Sequence, residues 1–190
     1  MFSCSLHRNF VRSVFVPVVL LCLFTVLLFT GCKIDDNGDP GNDPGYSLIN
    51  DLIGTWTDPS YFDGYTITAS KLTYYGWDGS VNFAGTVRRV TTFTNSAGVI
   101  VIQYDANSKP SYGVYDEEWN LIDSLPPKGD FVGIYYQNLK PGVSVEMSQA
   151  IDLTDYTGAE KTTLNAAVAA FTTGNRGDYV SLWGGPYLKQ

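Results

Sequence analysis

The segment YTITAS, residues 65–70, alternates between two kinds of side chain. Tyr65, Ile67 and Ala69 fall on one face of an extended chain, and the residues between them are Thr and Ser. The segment VSVEMS, residues 143–148, repeats the pattern with Val and Met against Ser and Glu. Because successive side chains of a β-strand point to opposite faces, this period of two predicts antiparallel strands with one buried face.

Eight such strands are predicted in succession, separated by turn sequences such as Asp78-Gly79 and Lys140-Pro141-Gly142. Sequential antiparallel strands favour an up-and-down β-barrel, since closure removes the exposed edges of the sheet. We therefore expect a mainly β domain over residues 47–190, built on an antiparallel barrel of about eight strands. The predicted strands are 54–58, 62–68, 71–77, 82–94, 98–105, 111–117, 130–139 and 142–151.

One C-terminal α-helix is predicted over residues 158–172. Thr157 and Glu160 have the T-x-x-E spacing of a capping box, which satisfies free backbone groups at a helix start. Leu164, Ala167, Val168 and Phe171 then recur at helical spacing, and we expect the helix to pack on its own domain through Leu164, Val168 and Phe171. The segment DYVSLW, residues 178–183, predicts a short final strand.

The first 31 residues have the plan of a secretory signal peptide. Arg8 and Arg12 precede an apolar run over residues 14–29, which is shorter than the roughly 20 residues of a spanning helix.

Residues 32–46 are rich in Asp, Asn, Gly and Pro, and we expect a flexible acidic tether. A calcium loop is the alternative, although the EF-hand positions for Gly and Glu are not matched. Its oxygen ligands would be Asp35, Asp36, Asn37 and Asp39.

The end of the apolar run, LFTGC at residues 28–32, resembles the lipobox of bacterial lipoproteins. Leu28 and Gly31 fit that pattern, and the bulky Phe29 is similar to the looser lipoboxes of spirochaete lipoproteins. The resemblance implies cleavage before Cys32 and lipidation of its thiol. It places the protein in the bacterial cell envelope, attached to a membrane through the lipid, on a side that the sequence leaves open.

Composition excludes several classes of function. Removal of the signal peptide leaves ten basic and 19 acidic residues, a net charge of −9, so binding to nucleic acid is not expected. The single His7 lies in the leader, as do Cys4 and Cys22. A mature domain without His or a free thiol has no Ser-His-Asp triad, Cys-His pair or zinc site of these ligands. We expect no metal, no cofactor and no enzymatic activity.

Catalysis by paired carboxylates is the one enzymatic alternative that composition leaves open. Asp116, Glu117 and Glu118 are consecutive, and a glycosidase needs two carboxylates of different pKa. The simpler interpretation is a solvated turn with three exposed acids.

A further resemblance concerns the start of the barrel. Gly54-Thr55-Trp56 follows a short apolar turn and precedes the strands, the helix and the final strand. This order is similar to that of the lipocalins and other calycins, whose G-x-W motif opens the first strand. The resemblance implies that Trp56 fills the closed end of the barrel, that Gly54 permits the turn before it, and that the helix lies outside.

These expectations lead to two competing functions. The first is a barrel that binds a small apolar or amphipathic ligand, since small barrels can hold one such molecule. Arg88 or its neighbour Arg89 would then face an anionic headgroup. The second is an adhesin or other interaction protein, with a barrel filled by its own side chains. The residues predicted to line the pocket are Phe83, Arg88, Ile102, Tyr104 and Tyr135.

Overall fold

A computed structural model describes residues 50–106, 108, 110, 112–115, 118, 120–180 and 183–190. The predicted signal peptide, the tether and the lipidation site Cys32 therefore lie outside the described residues, as do Asp116 and Glu117. Residues 50–52 are helical, and two short helices follow later, α1 (Leu164–Ala170) and α2 (Arg176–Tyr179). The strands are β1 (Gly54–Thr57), β2 (Gly64–Ile67), β3 (Lys71–Tyr75), β4 (Val81–Thr94), β5 (Ala97–Tyr104), β6 (Tyr112–Tyr115), β7 (Leu121–Leu125), β8 (Phe131–Lys140), β9 (Ser144–Gln149), β10 (Ile151–Asp152), β11 (Thr157–Gly158) and β12 (Gly184–Lys189).

Eight of these strands form a closed antiparallel barrel in the order β1-β2-β3-β4-β5-β8-β9-β12, with β12 returning to β1. Neighbours in the barrel follow one another along the chain, so the predicted up-and-down barrel is confirmed. The strands are rich in Thr, Tyr, Val and Ile, the residues that suit a half-buried pleated surface. Their alternation places one set of side chains in the interior and the other on the outer surface.

The predicted strand 111–117 is not part of the barrel. Within this segment, β6 pairs with β7 in a separate two-stranded sheet, and β7 was not predicted. Neither β6 nor β7 can lie between β5 and β8 in the barrel, because β5 and β8 are hydrogen-bonded directly to each other from Gly98↔Tyr136 to Gln103↔Phe131. The alternating pattern therefore identified a strand correctly but assigned it to the wrong sheet.

The final strand lies later than predicted and has a larger role. Of the predicted segment 178–183, Asp178 and Tyr179 belong to the helix α2, and Ser181 and Leu182 are outside the described residues. The strand β12 begins at Gly184, pairs with β9 on one side and with β1 on the other, and so supplies the eighth barrel strand.

The predicted helix is shorter than the sequence pattern. Thr163 caps α1, and its hydroxyl accepts a hydrogen bond from the Ala166 amide at 3.2 Å. The expected capping box is wrong, because Thr157 belongs to β11 and Lys161 forms an antiparallel bridge with Phe131 of β8. Tertiary bonding therefore overrides a local helix-start motif in this segment.

The helix α1 packs on the outer surface of the barrel, over β5 and β8. Leu164 and Phe171 lie against the core as predicted, whereas the third contact is made by the buried Ala167 rather than by Val168. Gly133 permits the close approach, since a Cβ at this position would lie 2.8 Å from the Phe171 ring. The interior and the helix thus lie on opposite faces of β8.

Trp56 is fully buried near the end of the barrel at which β1 begins. Its indole nitrogen donates to the Leu52 carbonyl at 2.7 Å, and the Lys189 ammonium lies 4.9 Å from its ring centroid. Lys189 also donates to the Ile53 carbonyl. We call this the tether end, because the chain before residue 50 joins the barrel here, and we call the other end the loop end. Among the described residues, no helix is long and apolar enough to span a bilayer.

Candidate functional site

Three of the predicted pocket residues, Phe83, Ile102 and Tyr104, point into the barrel. Their register partners fall on the same face, and the rings of Phe83 and Tyr104 meet at 5.8 Å. Two more rings extend this row. The Tyr74 ring centroid lies 5.3 Å from that of Phe83, and the Tyr65 ring centroid lies 4.7 Å from that of Tyr74. Adjacent rings at these separations fill the width of the barrel with side chains.

The central part of the interior is solid. A cavity that could hold even one water molecule would leave accessible area on the side chains that line it. The central side chains instead have between 0% and 1% of their area exposed, which matches the dense packing of protein interiors. These residues are Ile67, Leu72, Ile100, Ile102, Val132, Ile134 and Met147.

Tyr135 does not line the interior, contrary to prediction. Its register partner is Val99, on the face of the sheet that the helix α1 covers. Its ring packs edge-on to Phe171 at 6.3 Å, and its hydroxyl donates to the Thr172 carbonyl at 3.4 Å. Burial raises the pKa of its phenol. Tyr135 is therefore buried by the helix rather than by a ligand.

Arg88 also lies outside the barrel, and its predicted inward orientation is wrong. A bulge in β4 between Val87 and Arg89 breaks the alternation of the strand. The Arg88 guanidinium is exposed and donates to the Gln103 side-chain oxygen at 2.6 and 3.1 Å. Arg89 pairs with Val101 on the outer face. Neither arginine is placed to meet a headgroup inside the barrel.

The loop end of the interior carries a cluster of hydroxyl groups around one carboxylate. Tyr74 and Tyr187 donate to the same oxygen of Asp63, at 2.5 and 3.2 Å. Burial, with the negative charge of Asp63, raises the pKa of both phenols. Tyr65 packs between them, and burial raises its pKa as well. These phenols therefore remain protonated donors at neutral pH.

A second carboxylate closes the loop end from another direction. Glu160 is only 4% exposed and accepts a hydrogen bond from the Tyr104 hydroxyl at 3.1 Å. The Gln149 amide donates to the same hydroxyl at 2.8 Å, and the Lys128 backbone amide lies 3.4 Å from the other Glu160 oxygen. The segment before α1 thus inserts an acidic side chain into the barrel and holds it there. Among the described residues, no group of three His, Cys, Asp or Glu is arranged to hold a metal.

The β1–β2 loop, residues 58–63, is held by hydrogen bonds to Asp58 and presents two aromatic side chains to solvent. The buried Asp58 carboxylate accepts from the Ser60 and Tyr61 amides at 2.7 and 3.1 Å, and its carbonyl accepts from the Phe62 amide. Phe62 has a positive φ of 61°, which costs a non-glycine residue conformational energy. Tyr61 and Phe62 are nevertheless 74% and 70% exposed.

The β3–β4 loop, residues 76–80, is built in the same way. One carboxylate oxygen of Asp78 accepts from the Ser80 amide and hydroxyl, at 2.9 and 2.6 Å, and these bonds lower the pKa of the acid. Gly79 has the positive φ that the turn requires. Trp77 is 79% exposed. The two loops are neighbours, since Gly64 after the first pairs with Tyr75 before the second.

Two open depressions lie on the part of the outer surface that the described residues form. One, of about 560 Å³, lies beside the β8–β9 hairpin and β12, and the other, of about 470 Å³, lies against β3 and β4. Neither is lined by a predicted pocket residue. The first includes Lys140, Val143, Glu146 and Leu188, and the second includes Lys71, Thr73, Tyr75 and Asp105.

The sequence interpretation missed most of the residues at the loop end. Glu160 was assigned to a helix cap, and Asp63, Tyr74 and Trp77 were not singled out. The sequence did contain a signal for this site. Two short loops, residues 58–63 and 76–80, each combine Asp with a large aromatic residue. Comparisons with protein-family models, with curated proteins and with solved structures found no match to this chain.

Proposed function

We propose that this protein is a non-enzymatic envelope lipoprotein, anchored through Cys32, whose barrel is a rigid interaction module rather than a carrier of a small ligand. The observation that carries the proposal is the solid interior. Side chains from the eight strands occupy the space in which a barrel of this size would hold a ligand. The up-and-down topology and the buried Trp56 also support a relationship to the calycins.

Closure of both ends supports the same function. At the tether end, Trp56 and Lys189 lie over the interior. At the loop end, Glu160 and its bond to Tyr104 fill the opening, beside the cluster around Asp63. A carrier needs a route into its cavity, and these contacts would have to break before a ligand could enter. The barrel is better suited to hold its loops in fixed positions.

The distribution of exposed aromatic residues is the third support. Tyr61, Phe62 and Trp77 project from rigid loops at the end opposite to the tether. Large exposed apolar side chains do not stabilise an isolated domain, and their accumulation on a surface marks contact with another molecule. The chain before residue 50 joins the barrel at the opposite end, so its point of attachment does not cover these loops.

Substitution of Ile100 by Ala tests whether the interior is solid. In a filled barrel this change creates a cavity, and we expect the free energy of unfolding to fall by about 2–5 kcal/mol. The matched control is Ile122→Ala, at a side chain that is 64% exposed, for which a change within about 0.5 kcal/mol is expected. Denaturant unfolding of the full chain, purified from membranes in detergent, measures both.

The same preparation is then extracted with solvent, and released small molecules are analysed by mass spectrometry. The interaction module predicts no equimolar lipid or other apolar molecule beyond the covalent anchor. An equimolar ligand in the wild-type protein, together with a small stability loss in Ile100→Ala, would favour the carrier instead.

A further inference from the structure

We propose that the loop end binds a basic segment of another protein through Tyr61, Phe62 and Trp77, which we call the loop aromatics, and through Asp63 and Asp78. This inference rests on the proposed interaction function and names its surface and partner. The loop aromatics belong to two neighbouring loops, so a single partner segment can reach both. Aromatic side chains of this kind are the commonest anchors of protein interfaces.

The loops are organised before any partner binds. Backbone amides bonded to Asp58 fix the first loop, and backbone amides and a hydroxyl bonded to Asp78 fix the second. A rigid aromatic side chain loses little conformational entropy when it is covered by a partner. Phe62 has a positive φ of 61°, and its large apolar ring is exposed.

The charge of the loop end selects the partner. Residues 54–70 and 72–87 contain three Asp and no Lys or Arg. Lys71, between these segments, forms an ion pair with Asp105 at 2.8 Å on the outer face. The loop end therefore has a negative local charge beside exposed aromatic rings. Both features attract Arg and Lys side chains, since the face of an aromatic ring binds cations.

A membrane surface fits this region less well than a protein does. Exposed Trp and Tyr side chains can sit at a bilayer interface, but anionic headgroups repel Asp63 and Asp78. The chain before residue 50, which would carry the lipid anchor, also joins the barrel at the opposite end. The geometry points to a basic protein segment with apolar residues between its cations.

Peptide titration tests the proposal. The full chain is reconstituted in phosphatidylcholine nanodiscs and titrated with a fluorescent ten-residue peptide in which Arg alternates with Leu. We expect saturable binding that weakens as salt is added. Trp77→Ala and Asp78→Asn should each weaken it by about threefold to tenfold or more, since one removes a cation–π partner and the other a charge. Asp78→Asn keeps the oxygen that holds the turn.

Two controls define the chemistry. The same peptide with citrulline in place of Arg retains its shape but has no charge, and it should bind at least tenfold more weakly. Val143→Ala removes an exposed apolar side chain from the β8–β9 turn at the tether end and should leave binding unchanged. Equal binding of the citrulline peptide, or binding unaffected by Trp77→Ala, would overturn the proposal. So would the absence of saturable binding.

A further outcome would assign the surface to lipid. The chain is also mixed with phosphatidylcholine vesicles in the absence of any peptide. If it binds these vesicles and Trp77→Ala abolishes that binding, the loop aromatics are a membrane contact and the proposal fails. None of these results depends on Ile100 or on extracted small molecules. Failure of the peptide titration with a solid interior would therefore remove the basic partner and leave the interaction module in place.

Discussion

Trp56 shows how a polar atom on a large apolar side chain is accommodated in this barrel. The indole ring is fully buried, yet its N–H has a partner in the Leu52 carbonyl at 2.7 Å. The Lys189 ammonium covers the ring face and donates to the Ile53 carbonyl, so its charge is not left without a partner. Residues from both ends of the described chain therefore meet at one side chain.

Trp56→Ala should lower the stability of the domain sharply. Loss of a buried Trp costs about 3–5 kcal/mol, and for a domain of this size we expect a fall of roughly 10 °C in the thermal midpoint. Thermal unfolding of the full chain, followed by circular dichroism, measures the effect. Trp77→Ala, at an exposed Trp, is the control and should leave the midpoint within about 2 °C. Equal midpoints for Trp56→Ala and wild type would contradict the role assigned to Trp56.

Single residues also mark the limit of prediction from the sequence. Alternation correctly oriented Phe83, Ile102 and Tyr104, because parity along a regular strand decides which face a side chain occupies. It failed at Arg88, where an extra residue in β4 changes the parity. It failed at Tyr135 for a different reason, since a helix buries the outer face of β8 and makes both faces apolar.

Among the elements, the segment between β11 and α1 departs most from its local sequence preferences. Residues 159–163 have a helix-start composition but lie extended across the start of β8, with backbone bonds between Phe131 and Lys161 in both directions. Their position brings Glu160 into the barrel opening. The T-x-x-E motif predicts what the isolated segment prefers, whereas the hydrogen bonds of the folded barrel determine what it adopts.

Glu160→Ala should destabilise this segment and open the loop end. The change removes the carboxylate that accepts a hydrogen bond from the buried Tyr104 hydroxyl, and loss of such a bond costs about 1–3 kcal/mol. Hydrogen exchange should become faster at the amides of Phe131 and Lys161 in particular. Glu146→Ala is the control, because that carboxylate bonds to Gln137 and Asn138 on the outer surface. Unchanged exchange at Lys161 would show that Glu160 does not hold the segment.

For the whole molecule, the sequence predicted the mainly β barrel because eight strands with a period of two leave few other arrangements. It did not predict the path of the chain between β5 and β8, since a strand pattern carries no information on its partner. The site was less predictable, because it depends on which loops leave the same end of a closed barrel. Attachment to the membrane is a separate prediction, which rests on the sequence before residue 50.

Cys32→Ala should abolish attachment of the lipid. Without the thiol, the signal peptidase that cleaves before a lipidated cysteine has no substrate, so we expect an uncut precursor and no incorporation of labelled palmitate. Labelling in cells, followed by electrophoresis of the full chain, measures both. Cys22→Ala lies in the predicted leader and should leave labelling and cleavage unchanged. Incorporation of label into the Cys32→Ala protein would contradict the anchor.

The pairing of β1 with β12 also imposes an order on folding. The Lys189–Ile53 bond links residues 136 positions apart, and the edge of β1 opposite β2 has no strand partner until β12 arrives. Formation of such distant contacts requires closure of a long loop, and topologies rich in them fold slowly. Until residues 184–189 pair with β1 and β9, the barrel is an open sheet with two free edges. In this state the free edges of β1 and β9 can pair with strands of other chains, so we expect the unfinished barrel to be the form most prone to aggregation.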